Sequence, residues 1–296
     1  MQKVFGRIAP FLFVLLWSTG FIGVKYGIPY SPPFTFVALR MLIAAPLLAL
    51  IAVVVTKRFE ITRAIFLQSS AIGVTLHGAY LAGCFYAVSK GLPAGIVALI
   101  VSLQPVLVSV FAAIFLKEEL SFRKISGLIL GLLGLIIVLT PRIRTASDIS
   151  WIALGACVVA LMGGTSGTLL QKRYGGQLPV LVSTSIQYAM TAFFVGVLAI
   201  STEKIEVTWD PHFIFSLVWL IVVLSVGAIL LLFYLLRVGS AASVSSYYYL
   251  VPPVTAVEAY FLFGEKVSVY GFIGTAITVV GVWLVVAKRT SDAQSL

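Results

Sequence analysis

Charge is what this chain has least of. Only 10% of its 296 residues are charged, and the acids number ten against twenty Lys and Arg. A water-soluble domain carries about 25% charge, so a solvated globular fold is excluded. Cysteine is nearly absent as well: Cys84 and Cys157 are the whole set and both sit inside apolar runs. They read as small core residues, so neither a disulfide framework nor a metal site is expected. No G-x-x-x-x-G-K-[ST] phosphate loop occurs, which speaks against an ATP-driven pump. An enzyme buried in a membrane would need a nucleophile, a metal cluster or paired carboxylates at depth. The strongly polar residues at depth are Arg40, His77 and Glu258, so no enzyme activity and no cofactor are expected.

Hydrophobicity is what is present. Sixty per cent of the residues are hydrophobic and the mean hydropathy is +1.11. Ten apolar runs can be counted, at 8–25, 34–55, 66–88, 94–116, 123–140, 151–171, 179–201, 213–236, 242–263 and 268–287. Each is long enough to cross a bilayer as a helix of roughly 20 residues. The first run follows Lys3 and Arg7 but lacks a small-residue cleavage site, so it reads as a retained span and not a signal peptide. The net charge of +10 comes from basic residues scattered through short loops; nucleic acid is not an expected partner. Thirteen of those Lys and Arg fall on the N-terminal side and six on the other. Cytoplasmic loops hold the excess of basic residues, which places both termini in the cytoplasm.

The chain also repeats itself. Shifting it by 147 positions aligns Pro105 with Pro252, Glu118 with Glu265, Gly127 with Gly274, Gly134 with Gly281 and Arg142 with Arg289. The same shift aligns Gly20 with Gly167, Lys25 with Lys172 and Lys57 with Lys204. One ancestral unit written twice is the reading, with units at 1–147 and 148–296. Five spans per unit is an odd number, so the second copy starts on the opposite side of the membrane. The expected fold is therefore all-α and integral to the membrane: ten transmembrane helices as two inverted five-helix repeats. That is a secondary-transporter architecture, with its site near the midplane between the halves.

The order and spacing of short motifs carry a resemblance. They run Leu16-Trp17-Ser18, Lys25-Tyr26-Gly27, Pro32-Pro33-Phe34, Ala38-Leu39-Arg40, Ser102-Leu103-Gln104-Pro105, Glu118-Glu119-Leu120-Ser121, Tyr249-Leu250-Val251-Pro252-Pro253 and Gly264-Glu265. Together these resemble the EamA family of the drug/metabolite transporter superfamily, nearly end to end. The resemblance implies a bacterial inner-membrane exporter of small metabolites, most similar to exporters of amino acids, aromatic ones included. Broad drug efflux and flipping of a lipid or lipid-linked sugar are the alternatives on the same scaffold. The expected partners are a small-molecule substrate and membrane lipids, with a single copy of the chain sufficient.

Polar residues inside apolar runs mark the candidate site, because a charge in lipid costs several kcal/mol, of order 2.5 or more, unless it faces protein or water. His77 shares a helical face with Gly73, Tyr80 and Cys84 by spacings of three and four. Gln104 precedes Pro105, and Pro252-Pro253 stands at the matching point of the ninth run. A pair of interrupted helices at corresponding positions points to a transporter site. The candidate substrate-binding residues are accordingly Trp17, His77, Tyr80, Ser102, Gln104, Tyr247 and Tyr249. Arg40, Pro105, Pro252 and Glu258 are candidate structural or gate residues, with Arg40 and Glu258 expected at one depth, facing inward and in contact with each other or with one water network. The glycines of the fifth and tenth runs, Gly127, Gly131, Gly134, Gly271, Gly274 and Gly281, predict close helix packing and a scaffold.

Overall fold

The structure is a computed structural model that describes residues 2–56, 60–92, 97, 100–101, 103–144, 150–263 and 269–286. Every regular element among these residues is helical. The helices are α1 (Gln2–Gly27), α2 (Pro33–Thr56), α3 (Arg63–Ser89), α4 (Gln104–Phe115), α5 (Phe122–Arg144), α6 (Trp151–Tyr174), α7 (Val180–Thr202), α8 (Pro211–Val238), α9 (Ala241–Ser246), α10 (Val251–Phe263) and α11 (Val269–Val286). Among the described residues, six helices are long and apolar enough to cross a membrane: α1 with the turn after it, α2, α3, α6, α7 and α8.

Helix starts follow local chemistry. Thr62, Asp210 and Ser240 accept a backbone N–H from Ile65, His212 and Ser243 at 3.2, 2.8 and 3.1 Å, which satisfies donors the first turn leaves over. α2 is capped from afar: the Glu203 carboxylate accepts the Phe34 and Thr35 amides and the Thr35 hydroxyl, each at 2.8 Å, placing negative charge on a helix N-terminus. Likewise Glu118 accepts the Ala241 amide at the start of α9, at 2.9 Å.

The fourth and ninth runs are broken where the prolines predict. Val97, Ile100 and Val101 are helical, Leu103 is in a turn, and α4 begins at Gln104 with Pro105 in its first turn. In the second copy α9 gives way to a 3-10 turn at Tyr247–Leu250, and α10 begins at Val251 with Pro252 second. Gln104 and Val251 are 147 apart. Both prolines sit where a helix has no use for their missing N–H.

A feature the periodicity does not show lies in α3 and α8. Gly73–Ala79 and Leu220–Ala228 are π-helical, and they too start 147 residues apart. Such widened turns concentrate at functional sites.

Helix packing respects the same shift. α1 packs on α8 as α6 packs on α3, and α1 meets α10 as α6 meets α4; α2 with α7 and α5 with α11 each join a helix to its own repeat mate. In the α5–α11 pair the glycines face one another: a Cβ on Gly127 would come within 2.6 Å of Gly281 O, and one on Gly134 within 2.6 Å of Gly274 O. These two helices are the expected scaffold. The molecule is inside out relative to a soluble protein. Phe11, Leu42, Trp151 and Phe193 are exposed, while Ser18, Arg40, His77, Gln104, Gln187 and Thr191 are buried, as hydrocarbon solvent demands.

Candidate functional site

A cavity of about 70 Å³ lies where α1, α2, α3 and α8 converge. Trp17 and Gly20 line it from α1, Arg40 from α2, His77, Tyr80 and Cys84 from α3, and Leu220 and Leu224 from α8. The two π-helical turns thus face each other across it. This volume is well under the roughly 300 Å³ of a small-molecule pocket.

α7 sets hydroxyls against carbonyls of both widened turns. The Thr191 hydroxyl lies 2.9 Å from Gly73 O and equally from Gln187 O of its own helix, and the Tyr188 hydroxyl donates to Ser225 O at 2.5 Å. The side chains on the two turns are held in parallel fashion. Arg40 Nε donates to Ser225 Oγ at 2.9 Å. Its repeat mate Gln187 places Oε1 3.1 Å from His77 Nε2 and donates through Nε2 to Ser183 Oγ at 3.1 Å and Gln171 Oε1 at 3.3 Å. Since Oε1 accepts, His77 presents N–H at Nε2. Its ring meets Tyr188 edge to face, with centroids 4.8 Å apart.

The other wall is aromatic. Trp17 packs against Phe13 at 5.2 Å and Tyr248 at 5.4 Å between centroids, and Tyr80 lines the same cavity from α3. Gly164, the repeat mate of Trp17, has no side chain, and Gln104 and Tyr80 occupy the space a Cβ would need.

Of the expected substrate-binding residues, Trp17, His77 and Tyr80 do line one cavity. Gln104 stands one layer back, donating to Thr168 Oγ1 at 3.2 Å. Tyr247 is half-buried beside the scaffold. Tyr249 does not reach the cavity: it is fully buried against Leu128, Leu135, Val282 and Val285, with its ring over Gly131. The 3-10 turn advances each residue by about 120°, which turns Tyr248 to the cavity side and Tyr249 to the scaffold. Ser102 lies outside the described residues, as does the side chain of Pro252.

The expected contact between Arg40 and Glu258 is not formed. Glu258 takes the Ser18 hydroxyl at 2.5 Å, while Arg40 belongs to the cavity wall and to Ser225. Sequence reasoning missed Ser225, Tyr188, Gln187 and Tyr248. Gln187 alone carried a signal, as the repeat mate of Arg40; the serine and tyrosines sit in apolar runs where they are indistinguishable from packing residues.

Two halves that pack as mates around a buried polar and aromatic cavity, under a hydrocarbon-facing surface, define a multi-pass helical transporter. The chain belongs to the EamA-like transporter family, whose model matches residues 4–140 and again 150–287. The uncharacterized transporter YvbV of Bacillus subtilis is 28% identical over 94% of this chain and 90% of its own length. A protein of Escherichia coli named "Probable amino-acid metabolite efflux pump" is 24% identical over 92% of each chain. A solved crystal structure superposes with a TM-score of 0.78 at 19% identity, covering 94% of this chain and 95% of that one, which establishes the shared fold.

Proposed function

We propose that the protein is a secondary exporter that carries small metabolites, amino acids including aromatic ones, out of the cytoplasm by alternating access. The observation that carries this is the cavity itself: Trp17, backed by Tyr248, and Tyr80 line it together with Arg40 and His77, between mated π-helical turns. An apolar body and a polar head group are what such a surface complements. The name of the Escherichia coli relative supports the same substrate class. The proposed frame is ten spans in two inverted units, 1–147 and 148–296, in a bacterial cytoplasmic membrane with both termini inside, acting as a monomer. The groove on the membrane-facing side of α2 and α7, lined by residues such as Leu42, Pro46, Met190 and Phe193, shares no described lining residue with the cavity. That separation favours a water-borne substrate over a lipid.

Counterflow of labelled phenylalanine and leucine in proteoliposomes is the test. Trp17→Ala, His77→Ala and Tyr80→Ala should each lower the initial rate at least tenfold while leaving the melting temperature within a few degrees. Unchanged rates in all three would place the path elsewhere; no counterflow by the native protein would overturn the substrate class.

A further inference from the structure

A cation that is nine-tenths buried in a membrane bundle needs an anion, and Arg40, 5% exposed, has none among the described residues. Among the described residues its guanidinium makes one hydrogen bond, Nε to Ser225 Oγ, and no ion pair. The ionisable groups that act on it are the Tyr188 hydroxyl, which itself donates to Ser225 O, and the His77 ring. Among the described residues every carboxylate is held elsewhere or exposed: Glu258 takes Ser18 through one oxygen and keeps the other buried without a partner, Glu203 and Glu118 accept at the starts of α2 and α9, Asp210 accepts from His212, Glu206 pairs with Lys204, and Glu60 and Glu119 are on the surface. The two terminal NH2 groups of Arg40 are left over at the wall of the cavity. Among the described residues no Asp or Glu lines that cavity.

Resting on the reading of this cavity as the transport site, we infer that Arg40 is the anchor for a carboxylate on the cargo, and that the site has no matching acid for an ammonium group. A guanidinium offers parallel N–H donors at the spacing of the two carboxylate oxygens, and the pairing removes the penalty of a lone buried charge. Trp17, Tyr80 and Leu224 then take the apolar or aromatic body. The π-helical turn of α8 fixes the anchor, because Ser225 holds Nε and leaves the fork free. The chemical class that fits is a small organic acid with an apolar or aromatic body, for which an α-amino group is optional.

Three compounds of one shape separate the groups: phenylalanine, phenylpropionate without the ammonium, and phenethylamine without the carboxylate. Each is tested on the full-length native protein, as a stabiliser of thermal unfolding in detergent and as a competitor of counterflow. The two carboxylates should stabilise and compete, and phenethylamine should do so about tenfold or more weaker, the range for a lost charge-assisted bond. Arg40→Lys should keep the preference for acids at reduced strength, and Arg40→Met should abolish it. Phenethylamine matching the acids, no stabilisation by any of the three, or stabilisation by chloride alone would overturn the anchor. Acids that stabilise but are not moved would instead overturn the transport reading and leave the anchor standing.

Discussion

Arg40 and Gln187 stand at the same position of the two repeats, and each reaches across to the π-helical turn of the other copy's third helix or its mate. The positions are symmetric and the chemistry is not: one copy holds a charge, the other a neutral amide. The cavity inherits that asymmetry as one cationic side. Glu203 accepts three donors at the start of α2, and Glu203→Ala should destabilise the protein by about 1 to 2 kcal/mol, read as a lower melting temperature, with Glu203→Gln intermediate. At the start of α8, Asp210 accepts the backbone amide of His212 and its ring nitrogen, and the backbone bond first, then the side-chain bond, holds the Asp210 carboxyl below its ordinary value of 3.8. A depressed carboxylate stabilises the folded state above its unfolded pKa and loses that contribution as pH falls through the folded one. Protection of the first turn of α8 should therefore decline below about pH 4, by hydrogen exchange corrected for intrinsic rate. In Asp210→Asn, where an uncharged oxygen still accepts the amide, that pH dependence should vanish; its persistence would assign the effect to another group.

Among the elements, α5 and α11 show what small residues do that large ones cannot. Backbones approach closely where Gly127, Gly131 and Gly281 meet, and Tyr249 fills the remaining space over Gly131. A Cβ on Gly281 would come within 2.7 Å of Gly127 O, so Gly281→Val should destabilise by about 1 to 3 kcal/mol through overpacking. Gly155→Ala, where a Cβ meets nothing within 4 Å, is the control and should leave the melting temperature unchanged. The π-helical turns of α3 and α8 sit on the cavity and not on the scaffold. One carbonyl of each meets a hydroxyl from α7, so α7 touches both repeats' turns at the site.

At the scale of the whole molecule, orientation is the property to measure. Cys84 and Cys157 are both buried, so single cysteines introduced on the surface can be read against a quiet background. Glu60→Cys should react with a membrane-impermeant maleimide from the cytoplasmic side and Lys204→Cys from the opposite side. Reaction of both from one side would break the alternation of spans on which the inverted arrangement rests. Composition, hydropathy and the 147-residue shift were enough to define a membrane bundle built twice, because lipid forces backbone polar groups into helices and forces charge out of their surfaces. The broken fourth and ninth runs were legible for the same reason: a proline removes a donor wherever it stands. The helix pairings, the π-helical turns and the partners of Arg40, Glu258 and Tyr249 were decided only in three dimensions. A side chain's direction depends on how many residues each turn holds, and a buried charge takes whichever partner the packing of distant helices brings within about 3 Å.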